Sequence, residues 1–282
     1  MAEYPALDVP CDDPDSPLSD RLCALLDDFD PLGLLVVDAG LRVFFRSGPM
    51  RDQARQAIAD REGLNAVAIE VSDEDWARRS QDDLRAIEAG GLVIAPPWDV
   101  PKGATPVIII EPSMGFGTGH HATTRLCLRM LRRLAGSERA GEPSPLRGAR
   151  VLDVGTGSGV LALAAWKLGA GDVVGVDNDP DALQNARENI ARNGAGPSID
   201  IVQDDLGSLR IERAGIVLAN LTGAVLVRYA DELRGLVLDG GHLILSGFAP
   251  QDTVVVRSAF RDLAVIDEQS EGDWASLMLR RT

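Results

Sequence analysis

Val151-Leu-Asp-Val-Gly-Thr-Gly-Ser-Gly159, followed by Val160-Leu-Ala-Leu-Ala-Ala-Trp166, decides the fold. Residues 150–154 read as a buried strand, apolar but for Arg150 and Asp153. Glycines at 155, 157 and 159 read as a turn whose backbone N–H groups approach a ligand closely. The turn opens a helix at Val160, whose first N–H groups lack internal partners. A second strand, Val173-Val-Gly-Val-Asp177, ends in an acid twenty-two residues after Gly155. An acid at that distance sits at the tip of the next strand and accepts both ribose hydroxyls of a nucleoside. Asp179 and Pro180 then start another helix as N-cap and first-turn residue.

Two cofactor classes use this geometry. Dinucleotide sites want Gly-x-Gly-x-x-Gly/Ala, which Gly157, Gly159 and Ala162 satisfy, so a nicotinamide dehydrogenase competes on glycines alone. The register against the strand separates the two classes. Asp153, two residues before Gly155, gives Asp-x-Gly-x-Gly-x-Gly. That pattern resembles the first motif of S-adenosylmethionine (SAM) methyltransferases, in which the acid sits near the methionyl end of the cofactor.

Beyond the turn, residues 199–203 read as a strand followed by Asp204 and Asp205. Acids there lie beside the adenine face, where a carboxylate or its neighbouring amide reaches an exocyclic amine; a solvated turn is the competing reading. Residues 214–219 form a further buried strand that delivers Asn220 at its tip, where open α/β sheets bind ligands. An Asn there has a carbonyl that accepts from an incoming amine and holds its lone pair towards a methyl group. Its alternative is to cap the following helix. Gly240-Gly241 reads as a turn into a strand over 242–246, residues 251–260 as a helix, and 263–271 with 276–280 as a closing antiparallel pair. The alternation predicts an α/β fold: a doubly wound, mainly parallel sheet with an antiparallel edge.

Upstream lies Glu111-Pro-Ser-Met-Gly-Phe-Gly-Thr-Gly-His-His-Ala-Thr-Thr124, a glycine-rich loop leading into an amphipathic helix over 122–134. The Gly-Lys-Ser/Thr of a P-loop is missing, which excludes nucleotide hydrolysis. His120 and His121 are adjacent, rarely aim at one ion, and have no Glu-x-x-His or cysteine partner, so no metal is expected. Loop packing or helix capping competes with a place near the substrate for both. Residues 136–148 read as a Pro/Gly/Ser linker.

The amino-terminal part reads as an acidic tail over 1–17, with a poor edge strand around 4–9. A small α+β module follows over 18–72, without a chemical constellation and so a recognition or packing domain: a helix at 19–29, a hairpin around Ala39-Gly40, a helix at 50–61 and a strand at 66–71. A charged linker helix over 73–89 and a stiff Pro96-Pro97-Trp98 turn fill the connection at 73–100, leaving 101–282 as the domain that carries the glycine turn. At 282 residues the chain accommodates two domains.

No apolar run reaches membrane-spanning length, no signal peptide is read, and Cys11, Cys23 and Cys127 make neither a Cys-x-x-Cys pair nor an even disulfide set. A cytoplasmic protein without membrane attachment is expected. The net charge of -15 argues against a nucleic-acid substrate and suits a basic protein partner; an acidic proteome explains it equally well.

The 111–124 loop, the 151–159 turn, Val217-Leu-Ala-Asn-Leu221 and Glu271-Gly-Asp-Trp274 together resemble the PrmA family of ribosomal protein methyltransferases. Asp73-Glu-Asp-Trp76 and Pro96-Pro-Trp98 resemble its linker. The likeness is strong over 70–282 and weaker before. It implies a seven-stranded class I methyltransferase sheet, SAM as cofactor, and methylation of lysine and N-terminal amines on the eleventh large-subunit ribosomal protein, gripped by the amino-terminal domain. By motif position, it implies Thr124, Gly155, Asp177 and Asn220 as cofactor contacts, and Phe116, Gly117, Thr118 and Gly119 as the loop over cofactor and acceptor amine. Asp153, Gly157, Asn178 and Asp205 join the cofactor set, and Asn220, Thr118, Gly119 and His120 form the expected catalytic set. The segment after Asn220, Leu-Thr-Gly223, and the short amino-terminal module depart from the family pattern. Two alternatives stay open: a relative acting on another protein, such as an electron-transfer flavoprotein subunit, and a non-catalytic SAM-binding module.

Overall fold

The computed structural model describes residues 3–11, 18, 21–22, 25–26, 29, 31–37, 40–72, 84–103, 106–112, 119–136 and 144–282. The described residues divide into two units, one up to Leu84 and one from Arg85 onward.

In the smaller unit, strands β1 (Glu3–Pro10), β2 (Pro31–Val37), β3 (Gly40–Phe45) and β4 (Val67–Ser72) form an antiparallel sheet in the order β2-β3-β1-β4. Helix α1 (Gly48–Glu62) has Pro49 in its first turn and ends on Gly63 in the left-handed region. Its Ala54 and Ile58 pack with Leu7, Val9, Leu41, Val43 and Phe45, and with the helical residues Leu22, Leu25 and Leu26.

Within the expected tail over 1–17, the poor edge strand at 4–9 is corrected; residues 1–2 and 12–17 lie outside the described residues. Residues 3–10 are an interior strand, paired on both sides, because Ala6, Leu7 and Val9 are buried. The acid that coloured this segment, Asp8, lies opposite Arg42 in the register and accepts two hydrogen bonds from it at 2.6 and 2.7 Å. A cross-strand ion pair of this kind lets a charged residue occupy a central strand.

The larger unit begins with β5 (Ile87–Ala89), β6 (Leu92–Ala95) and β7 (Val107–Ile109), a three-stranded sheet. The linker helix expected to run to residue 89 is corrected: 87–89 pair antiparallel with β6. Gly90 and Gly91 both take positive φ, 60° and 68°, the hairpin turn that such strands need. The part of that reading on 73–83 lies outside the described residues.

Then come α2 (Ala122–Gly136), β8 (Arg150–Val154), α3 (Val160–Lys167), β9 (Asp172–Asp177), α4 (Pro180–Arg192), β10 (Ile199–Gln203) and β11 (Ala214–Asn220). Helices α5 (Gly223–Arg228) and α6 (Ala230–Gly235), strand β12 (Val237–Phe248), helix α7 (Thr253–Ala259), β13 (Ala264–Glu271) and β14 (Trp274–Arg280) complete the chain.

The seven-stranded sheet has the order β10-β9-β8-β11-β12-β14-β13. Its first five strands are parallel, and β14 runs antiparallel to both β12 and β13. Successive side chains alternate between two cores. Val151, Val173, Ile216, Leu218 and Ile244 face one, with Leu128, Leu131 and the apolar α3. Leu152, Val174, Val217, Leu243 and Leu245 face the other, with Leu226, Leu233 and Phe260. Burial on both faces is why these strands read as unbroken apolar runs. Strand β12 starts at Val237, earlier than the turn expected at Gly240-Gly241; the shift between Ala214 and Ile216 absorbs the extra residues as an irregularity.

From β8 the sheet winds outward through β9 to β10, then returns to β11 on the other side of β8. This reversal places a crevice outside the carboxyl ends of β8 and β11, where ligands of such sheets bind.

Candidate active site at the parallel-strand tips

Gly155, Gly157 and Gly159 take φ of 72°, 52° and 80°, values that L side chains resist. Gly155 and Thr156 donate their N–H groups to the Val176 carbonyl, at 2.8 and 3.0 Å. The turn is thereby folded onto the end of β9. Gly159 is also a contact residue, since a Cβ there would lie 3.4 Å from the Ala186 methyl of α4.

Asp177 closes the turn from the side. One carboxylate oxygen accepts from Gly157 N at 2.9 Å and the other from Asp179 N at 3.1 Å. Both oxygens are fixed before any ligand arrives, and each keeps a further lone pair. Asp179 caps α4 by accepting from Asp181 N at 3.0 Å.

Asp153 lies beneath the turn rather than on its rim, at 1 % exposure. Its Oδ2 accepts from the Thr156 hydroxyl at 2.8 Å and from Ala162 N at 3.0 Å, so it ties the turn to the first turn of α3. Its Oδ1 is buried without a protein hydrogen-bond partner. Burial pushes this carboxyl up to about 6, against the opposing pull of the Thr156 and Ala162 hydrogen bonds.

Asn220 ends β11. Its Nδ2 lies 3.5 Å from the Oγ1 of Thr124, a buried residue in the first turn of α2. In this arrangement the amide donor faces Thr124 and the carbonyl is the remaining face of the carboxamide. The structure thus brings Gly155, Gly157, Asp177, Asn220 and Thr124 to one edge of the sheet. Asn178 and Asp205 are exposed, and Asp205 Oδ1 accepts from its own turn at Gly207 N, 2.8 Å. Phe116, Gly117 and Thr118 lie outside the described residues.

Gly119 is buried with φ 86°, and a Cβ there would lie 2.7 Å from Ile94 Cγ2. His120 Nε2 is 2.7 Å from the Arg85 carbonyl. His121 Nδ1 receives Thr123 N at 3.4 Å and meets Thr123 Oγ1 at 2.8 Å, so it caps α2. Its ring also meets Trp274 edge-on, with centroids 4.8 Å apart. Both histidine rings therefore make packing and capping contacts.

The residues that anchor this corner were missed in the sequence. Arg125 donates to the His120 carbonyl and to Glu271 Oε1, while Arg129 lies 2.6 Å from Glu271 Oε2. The Arg125 hydrogen bond, more than any other cause, holds the Glu271 carboxyl below its usual range. The hairpin of β13 and β14 thus fastens the amino end of α2. The signal was the Glu271-Gly-Asp-Trp274 motif, quoted without a partner.

Known proteins resemble this chain in sequence and in fold. Residues 39–282 match the family model described as ribosomal protein L11 methyltransferase (PrmA). A ribosomal protein L11 methyltransferase of Geobacter sulfurreducens is 40% identical over 275 residues, covering 90% of this chain and 86% of the relative. One from Pelotomaculum thermopropionicum is 41% identical, covering 74% of this chain and 67% of the relative. The crystal structure of the ribosomal protein L11 methylase from Lactobacillus delbrueckii subsp. bulgaricus superposes with a TM-score of 0.61 at 27% identity, over 71% of this chain and all of that one.

Proposed function

Because the chain belongs to the PrmA family of ribosomal protein L11 methyltransferases, we propose that it transfers methyl groups from SAM to lysine side-chain or N-terminal amines of ribosomal protein L11. One observation carries the site assignment: Asp177, oriented by the Gly157 and Asp179 amides, shares the crevice edge with Asn220.

The residues present fit the cofactor. A carboxylate with two oriented oxygens suits a ribose diol, and two acids around the turn suit a ligand that carries positive charge. We assign Asp177 to the ribose, the 155–157 backbone to the methionyl end, and Asp153 to holding the turn from below. The Asp204-Asp205 turn is assigned to the adenine, and Thr124 to positioning Asn220.

When bound, SAM supplies a methyl group on a cationic sulfur, already activated for displacement. The protein's task is alignment and exclusion of water, worth up to about 7–11 kcal/mol in favourable cases. The attacking amine must be neutral, whereas a free lysine titrates near 10.4. A partly desolvated crevice favours the neutral form. The Asn220 carbonyl, kept outward by Thr124, accepts from the amine N–H and turns its lone pair to the crevice. No general base is assigned; solvent takes the proton.

We assign substrate gripping to the smaller unit. The basic substrate accords with a net charge of -15, and we assign the reaction to the cytoplasm, with neither nucleic acid nor membrane as partner. Among the described residues, no helix is long and apolar enough to cross a membrane. Incubating purified L11 with enzyme and SAM, then measuring intact mass, tests the proposal. Gains in steps of one methyl group are expected; an unchanged mass with folded enzyme refutes it.

A further inference from the structure

Helix α4 and its C-cap present Asn185, Asn189 and the capping Asn193, about one turn apart, to the chain at 109–111. Asn193 closes a pair with Ile109, accepting from its N at 2.9 Å and donating to its carbonyl at 2.7 Å. Asn189 is fully buried and behaves differently. Its Oδ1 accepts from Glu111 N at 2.8 Å, and its Nδ2 donates to the Ser158 carbonyl at 3.0 Å. One carboxamide therefore joins the glycine turn to Glu111, the first residue of the 111–124 motif. Other contacts hold each side separately. Asp177 and the Val176 carbonyl hold the turn, while Arg192 lies 2.8 Å from Glu111 Oε2 and Asn185 donates to the Glu111 carbonyl at 3.4 Å.

We propose that Asn189 is a positioning residue for methyl transfer, fixing the separation between the cofactor turn and the root of the acceptor motif. The inference rests on the reading of the turn as the SAM site. Losing the bridge also releases Asn185, whose Oδ1 accepts from Asn189 Nδ2 at 3.2 Å, but Asp177 and the Val176 carbonyl still hold the turn and Arg192 still holds Glu111, so one side shifts against the other. Misplacement of about 1 Å costs on the order of a hundredfold in rate.

Asn189→Ala is expected to lower the single-turnover rate at saturating SAM and substrate at least tenfold, with SAM affinity within threefold of the parent. Asn193→Ala, which loses contacts on the same helix without touching the turn, is the control for general destabilisation and keeps the rate per cofactor-binding molecule. Asn189→Asp supplies a second readout. A buried carboxyl is raised in pKa, and only its protonated form can both donate to Ser158 and accept from Glu111. Its rate relative to the parent is expected to rise as pH falls from 8 to 6. Equal losses in Asn189→Ala and Asn193→Ala, or a ratio independent of pH, overturn the inference. Absence of SAM binding by the parent protein instead refutes the site reading on which it rests.

Discussion

Replacing Asp177 with alanine tests the site most directly. The carboxylate already accepts the Gly157 and Asp179 amides, at 2.9 and 3.1 Å, so its orientation needs no ligand. Each oxygen has one lone pair left for a ribose hydroxyl. Hydrogen bonds to a charged group contribute about 1.5–3 kcal/mol each, so two give at least about 3 kcal/mol. At 1.4 kcal/mol per tenfold, SAM affinity falls on the order of a hundredfold or more. The variant also frees the Gly157 amide at a partly exposed position, a smaller loss that shows in thermal melting. Calorimetric titration with SAM measures the first effect and scanning calorimetry the second. Affinity within threefold of the parent, in a variant that melts as a folded protein, refutes the assignment of Asp177 to the ribose.

Asn220→Ala is expected to lower turnover at least tenfold with SAM affinity within fivefold, read by single-turnover kinetics beside calorimetry. Asp153→Asn probes the buried acid. Its folded carboxyl titrates near 6 against 3.8 when exposed, so the folded state holds the extra proton between those values and stability falls as pH rises through that window. Denaturant unfolding should show the variant gaining on the parent by up to about 3 kcal/mol between pH 4 and 6, and parallel curves contradict this. Glu271→Gln is expected to cost about 1 kcal/mol at pH 7, the upper range for a partly exposed pair. Glu271 is depressed below 4.5, so its contribution is complete above that pH and fades as pH falls through the lower folded value. The two proteins should therefore converge in acid.

The strand tips were legible because their signals are local. Glycine spacing in 155–159, an acid ending β9 and an Asn ending β11 each lie within one strand-turn unit, and two-faced burial makes those strands apolar throughout. Partnerships across the chain were not legible. Arg125 and Glu271 stand 146 residues apart, and neither charge names the other in sequence. Asn189 carries no signal of its own, since spacing does not say that Glu111 and Ser158 converge on it. Asp153 had the right register, but register does not tell the rim of a turn from its underside. In the amino-terminal part, acids and prolines put the strand at an edge although Leu7 and Val9 face one core and Ala6 the other, and the Asp8–Arg42 pair that reconciles them is again non-local.

The interior position of β1 has a consequence for biogenesis. Strand β1 pairs with residues 30 to 69 positions downstream, so during synthesis its ladder closes only once Ser72 has emerged. Deleting the first ten residues then removes the seam between β3 and β4 and leaves β4 without a partner, whereas a true tail could be trimmed without harm.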